Sequence, residues 1–260
     1  MPLIVLKGLR GGVGTTSITI ALARQFHHHK YNVIVIDNCV NNILHFYFPE
    51  KSQVTTLGQA LLAHTPIEQA ICDYQNGYQI LPFGVVNSED KLHLQASATA
   101  NQHLQHFFTA FTQQYPDTLI FLDLQPEHDT LFKSWVAKAN IVLTVTTPES
   151  NCHIRLNQHT FAANEYILVN QFCATSQIHQ DFYQFWQTSQ FPFCPIKLHR
   201  DEALLEACAS RLPLYDYRAN CMLVEEINQL LQWCLPLLLS KKDSHNVNHR
   251  LSREKKRPAR

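Results

Sequence analysis

A cluster of glycines near the amino terminus is the part of this sequence best suited to bind phosphate. Four of the seven glycines in the 260-residue chain lie within seven residues, at positions 8, 11, 12 and 14. They follow an apolar run of strand type, residues 3–6, and precede residues 18–24, whose apolar side chains recur with helical spacing. A strand, a glycine turn and a helix start present backbone N–H groups to an anion. The sequence therefore predicts a phosphate loop over residues 9–17.

The loop lacks one residue that a standard phosphate loop needs. A Walker A motif ends in Gly-Lys-Ser/Thr, and Thr15 occupies the lysine position. A simple tight turn between a strand and a helix is the competing interpretation, because glycine supplies the backbone angles of such turns.

Two aspartates follow apolar strand patterns farther along the chain. Residues 32–37 end in Asp37 and residues 118–123 end in Asp123. The carboxyl ends of parallel strands meet at one sheet edge, where ligands bind. We therefore predict a magnesium site in which the Thr16 hydroxyl is a direct ligand and both carboxylates hold metal-bound water, with Asp37 as the candidate catalytic group. The alternative is that each aspartate caps the loop after it.

The remaining pattern alternates strands with helices. We predict further strands at residues 78–83, 140–146, 166–170 and 193–198, and helices at 56–63, 67–72, 88–115, 151–161, 177–189, 202–210 and 220–239, of which the long 88–115 pattern is either continuous or interrupted. This alternation predicts an α/β fold, with a doubly wound, mostly parallel sheet and helices on both faces. Residues 1–240 are expected to form a single nucleotide-binding domain.

Composition and charge separate this domain from a basic tail. The chain is 45% hydrophobic and 16% charged, has no apolar run of membrane-spanning length and enters a strand almost at once, so we expect a cytoplasmic protein. Residues 241–260 hold eight Lys/Arg and two acids, a net charge of +6 that balances −6 on the body. We predict that this tail is disordered. The tail has two interpretations: it binds anionic lipid or nucleic acid, or it is solvated and binds neither.

Several strings resemble a known family. Residues 10–17, Arg-Gly-Gly-Val-Gly-Thr-Thr-Ser, are similar to the deviant Walker A of ParA/MinD-type (SIMIBI class) ATPases, as are the turn at residues 147–149 and the strand end at residues 169–170. Residues 151–156, Asn-Cys-His-Ile-Arg-Leu, and residues 199–203, His-Arg-Asp-Glu-Ala, resemble the BcsQ (YhjQ) branch, a family of cellulose biosynthesis proteins.

The resemblance implies a function and partners that composition does not show. It implies an ATP- and Mg²⁺-binding protein that pairs face to face as a homodimer with nucleotide sandwiched between subunits. It further implies recruitment to the cellulose synthase complex at the inner membrane, with the small accessory proteins BcsR and BcsE as partners. Nucleic acid is not an expected partner, because the body of the chain is acidic.

The same resemblance assigns roles to individual residues. The implied nucleotide contacts are Arg10, Gly11, Gly12, Val13, Gly14, Thr15, Thr16, Ser17, Asp123, Glu149, Asn170 and Arg200. The implied dimer contacts are Arg10, Cys39, Glu149 and Arg155. A helix-opening acid is the alternative role of Glu149, and surface ion pairs are the alternative roles of Arg155 and Arg200.

Two departures from the ATPase pattern concern catalysis. Thr15 replaces the loop lysine, and Cys39 stands where many relatives place a second carboxylate that acts on the attacking water. Both changes remove stabilisation of transition-state charge. The sequence therefore predicts an assembly factor for cellulose secretion that binds ATP and hydrolyses it slowly or not at all. The alternatives are an active ATPase that positions the secretion machinery and a nucleotide-independent scaffold.

Overall fold

One eight-stranded sheet organises the chain in this computed structural model, which describes residues 2–38, 43–47, 55–75, 77–124 and 132–254. The strands are β1 Leu3–Gly8, β2 Val33–Asp37, β3 Cys72–Gln75, β4 Tyr78–Leu81, β5 Leu119–Leu124, β6 Ile141–Thr146, β7 Glu165–Phe172 and β8 Phe193–His199. The order across the sheet is β3-β4-β2-β5-β1-β6-β7-β8. All pairs are parallel except β3 with β4. The predicted α/β fold class is confirmed.

Helices cover both faces of this sheet. They are α1 Thr15–His28, α2 Leu57–Ala63, α3 Ser88–Ala96, α4 Ala98–Gln114, α5 Lys133–Lys138, α6 Ser150–Gln158, α7 Gln177–Gln187, α8 Glu202–Ala209, α9 Leu214–Tyr217 and α10 Met222–Glu254. Apolar residues of α1 and α10 pack in the core on one face, and those of α2 and α4 pack in the core on the other. The central strands are buried on both faces, which explains their continuous apolar sequences.

The edge of the sheet differs from the sequence prediction. The helix expected at residues 67–72 is a short 3₁₀ helix, Ile67–Ala70, followed by strand β3. Gly77, at φ +82°, lies in the turn that reverses the chain into β4. Residues of β3 alternate between half-buried and exposed, so the strand has no apolar run that would have identified it.

The last helix is longer than the sequence predicted. It was expected to end at residue 239 with a disordered tail after it, but α10 continues to Glu254. A helix that is already nucleated by packing gains one hydrogen bond for each residue added, so a polar continuation is inexpensive. Residues 255–260 lie outside the described part of the chain. Among the residues described, no helix is long and apolar enough to cross a membrane.

Candidate functional site

The glycine loop joins β1 to α1 and depends on two left-handed residues. Gly12 has φ +80°, and Gly14, the N-cap of α1, has φ +90°. A Cβ atom at Gly14 would lie 2.6 Å from Asn170 Nδ2, closer than side chains approach one another. Gly14 therefore has both a conformational and a steric requirement for glycine.

Side chains from the end of β7 hold the loop in place. The buried amide of Asn170 donates from Nδ2 to the Val13 carbonyl at 2.8 Å. Gln171 donates from Nε2 to the Gly12 carbonyl at 3.2 Å. Because two loop carbonyls are engaged by these amides, the shape of the loop is set before any ligand binds.

The loop forms one wall of a cleft of about 460 Å³. The cleft brings together the loop, one strand-end carboxylate and the segment that follows β8. Its lining residues are Arg10, Gly11, Gly12, Gly14, Thr15, Thr16, Ser17, Ile43, Asp123, Leu124, Asn170, Gln171, His199, Arg200, Asp201, Leu204 and Leu205. The predicted nucleotide contacts Val13 and Glu149 are not part of this lining, and the Val13 side chain is fully buried.

The two predicted aspartates are neighbours at the carboxyl edge of the sheet. Asp37 at the end of β2 is directly opposite Asp123 in β5, and they are 0% and 3% exposed. Burial raises the pKa of Asp123 to about 6, although hydrogen bonds from the Thr16 and Thr19 hydroxyls oppose this rise. Asp123 and Thr16 line the same cleft. These hard oxygen donors fit a magnesium ion.

Arg10 and Glu149 form an ion pair within the chain. Arg10 Nε donates to Glu149 Oε1, and the Cys152 thiol donates to the same oxygen at 3.4 Å. This pairing raises the pKa of Arg10 and lowers the pKa of Glu149. Both side chains are about one-third exposed, at 30% and 37%. Glu149 is also the N-cap of α6, but its side chain makes no capping hydrogen bond there.

The other predicted contacts divide between the cleft and the surface. Arg200 lines the cleft, and its side chain pairs with Glu202 at 3.0 Å while remaining 64% exposed. Arg155 donates from Nε to Asn151 Oδ1 at 2.9 Å, on its own helix and apart from the cleft lining. Cys39 lies outside the described residues.

The sequence prediction missed most of the wall that follows β8. His199, Asp201, Leu204 and Leu205 join Arg200 in lining the cleft. One signal was present, because β8 is a parallel strand whose carboxyl end meets the same edge as the aspartates. Ser17 has a second role that the sequence did not suggest: its hydroxyl lies 2.6 Å from the hydroxyl of the buried Tyr47.

Comparison with known proteins identifies relatives of the whole domain. The family model for cellulose biosynthesis protein BcsQ matches residues 1–235. The cellulose biosynthesis protein BcsQ of Salmonella typhi is 34% identical over 236 residues, which cover 90% of this chain and 94% of that protein.

Solved structures share the fold at lower identity. A plasmid partition protein of Borrelia burgdorferi bound to AMPPNP superposes with a TM-score of 0.70 at 16% identity, covering 90% of this chain and 98% of that one. The septum site-determining protein MinD of Pyrococcus horikoshii, complexed with Mg-ADP, superposes with a TM-score of 0.68 at 19% identity, covering 88% and 94%. These similarities establish a ParA/MinD-type fold.

Proposed function

This chain belongs to the BcsQ family of cellulose biosynthesis proteins, and from that premise we propose that it is an ATP-binding assembly factor for cellulose synthesis and secretion. In this proposal ATP holds a homodimer together and is hydrolysed slowly or not at all. The observation that carries it is a preformed phosphate loop, with a hydroxyl and a buried carboxylate in one cleft, that lacks the loop lysine.

The cleft suggests how the parts of a nucleotide would be distributed. The glycine loop and the start of α1 offer backbone N–H groups and a helix dipole to the phosphates. Because the loop lies on one wall, the nucleoside would lie toward Asn170 and residues 199–205 on the other. Asn170 uses Nδ2 to hold the loop, which leaves its carbonyl oxygen as an acceptor for a base amino group.

Metal binding is proposed where Thr16 and Asp123 line the cleft; Asp37, the neighbour of Asp123, is fully buried and is not a lining residue. Thr16 would hold Mg²⁺ directly, and Asp123 and Asp37 would hold it through water. When bound, Mg²⁺ neutralises phosphate charge. The structural relatives complexed with AMPPNP and with Mg-ADP use the same fold, which supports a nucleotide and magnesium ligand here.

Slow hydrolysis is proposed from the residues that replace catalytic ones. A threonine hydroxyl at position 15 donates a hydrogen bond but carries no positive charge, so it gives less stabilisation to charge developing on the phosphates. Cys39 likewise supplies no carboxylate for the attacking water. Neither change removes the loop amides, so binding is expected to persist.

The dimer is proposed to form across the cleft face, with Arg10, Cys39, Glu149 and Arg155 at the interface. An arginine binds phosphate through two parallel hydrogen bonds, which suits Arg10 as a clamp on the nucleotide of either subunit. The proposed partners of the dimer are BcsR, BcsE and the cellulose synthase complex at the inner membrane; membership of a cellulose biosynthesis family supports a role in cellulose synthesis.

Light scattering after size-exclusion chromatography tests this proposal. We expect a dimer with Mg²⁺ and ATP, and a monomer without nucleotide. A dimer of equal population with ATP, with ADP and without nucleotide would contradict a nucleotide-held dimer, and a monomer in all three would favour a scaffold. ATP turnover near the ~10 per second typical of enzymes would contradict slow hydrolysis.

A further inference from the structure

A buried glutamate on the last helix forms two hydrogen bonds with His199, the first residue of the cleft wall formed by residues 199–205. Glu226 of α10 is 9% exposed. Its Oε2 accepts from the backbone N–H of His199 at 2.8 Å, and its Oε1 bonds to His199 Nδ1. Both carboxylate oxygens are therefore used on a single residue, one on its backbone and one on its ring.

Other contacts place the segment that follows His199. The backbone N–H of Arg200 donates to the Phe172 carbonyl at 2.9 Å, and the Phe172 ring meets the His199 ring edge to face at 5.3 Å. The Asp201 side chain accepts from Ala203 N at 2.9 Å and so begins α8. With the Glu226 contacts, these bonds fix the direction in which residues 199–205 cross the cleft.

Packing alone does not require a carboxylate at this position. Leu223, Ile227 and Leu230 on the same helix are fully or almost fully buried, so α10 already has an apolar face against the core. Removing a carboxylate from water is costly, and apolar replacements of buried ionic groups are often at least as stable. Glu226 is thus better explained by what it holds than by stability.

Resting on the nucleotide-binding function proposed above, we propose that Glu226 is a positioning residue for the nucleoside part of the ligand. It fixes the backbone and ring of His199, and through them the wall formed by residues 199–205. Because Glu226 Oε1 bonds to Nδ1, Nε2 is the ring nitrogen that remains for the ligand.

The test compares a nucleotide with its phosphate part alone. Binding of ATP and of inorganic tripolyphosphate, each with Mg²⁺, is measured by calorimetry on the full chain. We expect Glu226→Gln to weaken ATP binding about tenfold and tripolyphosphate binding less than twofold, because the amide replaces one of the two oxygens that hold His199 with an NH₂ group. The matched control is Glu225→Gln, since Glu225 is exposed and adjacent on α10. It is expected to change neither affinity.

A second variant tests the same contact from the His199 side, in case Glu226→Gln disturbs folding. His199→Gln should reproduce the selective loss of ATP affinity, and the double variant should lose no more than either single variant, because the two side chains act as one unit. Additive losses, equal losses for both ligands, or an unchanged ATP affinity in Glu226→Gln would each overturn the inference. If the parent protein binds no ATP, the proposed function fails as well. If it binds ATP and the variants do not differ from it, the inference alone fails.

Discussion

Arg10 and Glu149 are bonded to each other within one chain, Nε to Oε1, although the family resemblance implies that both contact nucleotide or a partner subunit. They are 139 residues apart in sequence and meet because β1 and β6 are adjacent in the sheet. Neither side chain is deeply buried, at 30% and 37% exposed, so the pair is open to exchange with a ligand. If Arg10 is the clamp of a nucleotide-held dimer, its guanidinium must direct N–H donors to phosphate, either beside the Glu149 contact or in exchange for it.

The first prediction follows from that exchange. Arg10→Ala is expected to lower the association constant of the ATP-dependent dimer at least about tenfold, because a bidentate phosphate contact is lost. Light scattering across a protein dilution series with ATP measures it. Arg218→Ala is the matched control, since Arg218 is also an exposed arginine paired with a glutamate, Glu206. An unchanged dimer constant in Arg10→Ala would show that Arg10 is not the clamp.

The second prediction concerns the conformation of the loop. Gly14→Ala is expected to destabilise the protein by about 1–3 kcal/mol and to abolish ATP binding, because φ is +90° and Asn170 occupies the space of a Cβ. Gly11→Ala is the control for stability: its φ is outside the left-handed region, and among the described residues no atom lies within 4 Å of its Cβ position. Urea unfolding measures the stability of both variants, and ATP titration measures binding by Gly14→Ala. Equal stability of the two would contradict a locked loop.

The third prediction concerns the buried carboxylate of Asp123. Its pKa of about 6 exceeds the ordinary value of 3.8, so the folded protein holds a proton that the unfolded chain has already released between these values. The contribution of this group to stability therefore falls as pH rises through that window and stays unfavourable above it. Asp123→Asn removes the penalty and is expected to raise the free energy of unfolding of the ligand-free protein by about 3 kcal/mol at pH 8.

The pH dependence is the sharper part of that test. The gain in Asp123→Asn should shrink as pH falls from 6 toward 4, because the folded protein then carries a protonated and uncharged Asp123. The same Asp123→Asn variant should lose Mg²⁺-dependent ATP binding. A gain in stability that does not vary with pH would mean that burial of the charge is not its cause.

Most of the sheet was predictable because its central strands are mainly apolar and have polar residues at or near their carboxyl ends. That regularity identified Asp37 and Asp123 as strand-end residues, and they are neighbours in the structure. Strand β3 was not predictable, because a four-residue edge strand that is only half-buried on one face has no apolar run. The extension of α10 was missed because its residues are mainly polar and show no apolar helical pattern, although the helix continues from a packed segment.

The sequence predicted the parts of the site that a motif or a strand end marks. It did not predict the parts that depend on contacts between distant residues. The loop and its aspartate line one cleft as expected, but nothing local to Glu226 indicates that it would grip His199, 27 residues away. The pairing of Arg10 with Glu149 also depends on strand order, which the sequence did not supply. Residues whose role depends on contacts with a distant part of the chain can therefore be identified only from the structure.

The loop position that departs from the ATPase pattern gives the last prediction. Thr15 lies at the start of α1 and lines the cleft, so a lysine there would place an ammonium group beside the phosphates. Thr15→Lys is expected to raise ATP turnover at least about tenfold, since a single electrostatic contact to developing charge is worth about 10²–10³ in rate.

A coupled assay for released phosphate measures the rate, and calorimetry establishes that Thr15→Lys still binds ATP. Thr15→Ser is the matched control, because it keeps a hydroxyl and adds no charge. If Thr15→Lys binds ATP as tightly as the parent and turns it over no faster, the missing lysine does not explain slow hydrolysis. Turnover would then be limited by the absence of the carboxylate that Cys39 replaces. In that case the double variant Thr15→Lys with Cys39→Asp should turn ATP over faster than Thr15→Lys alone.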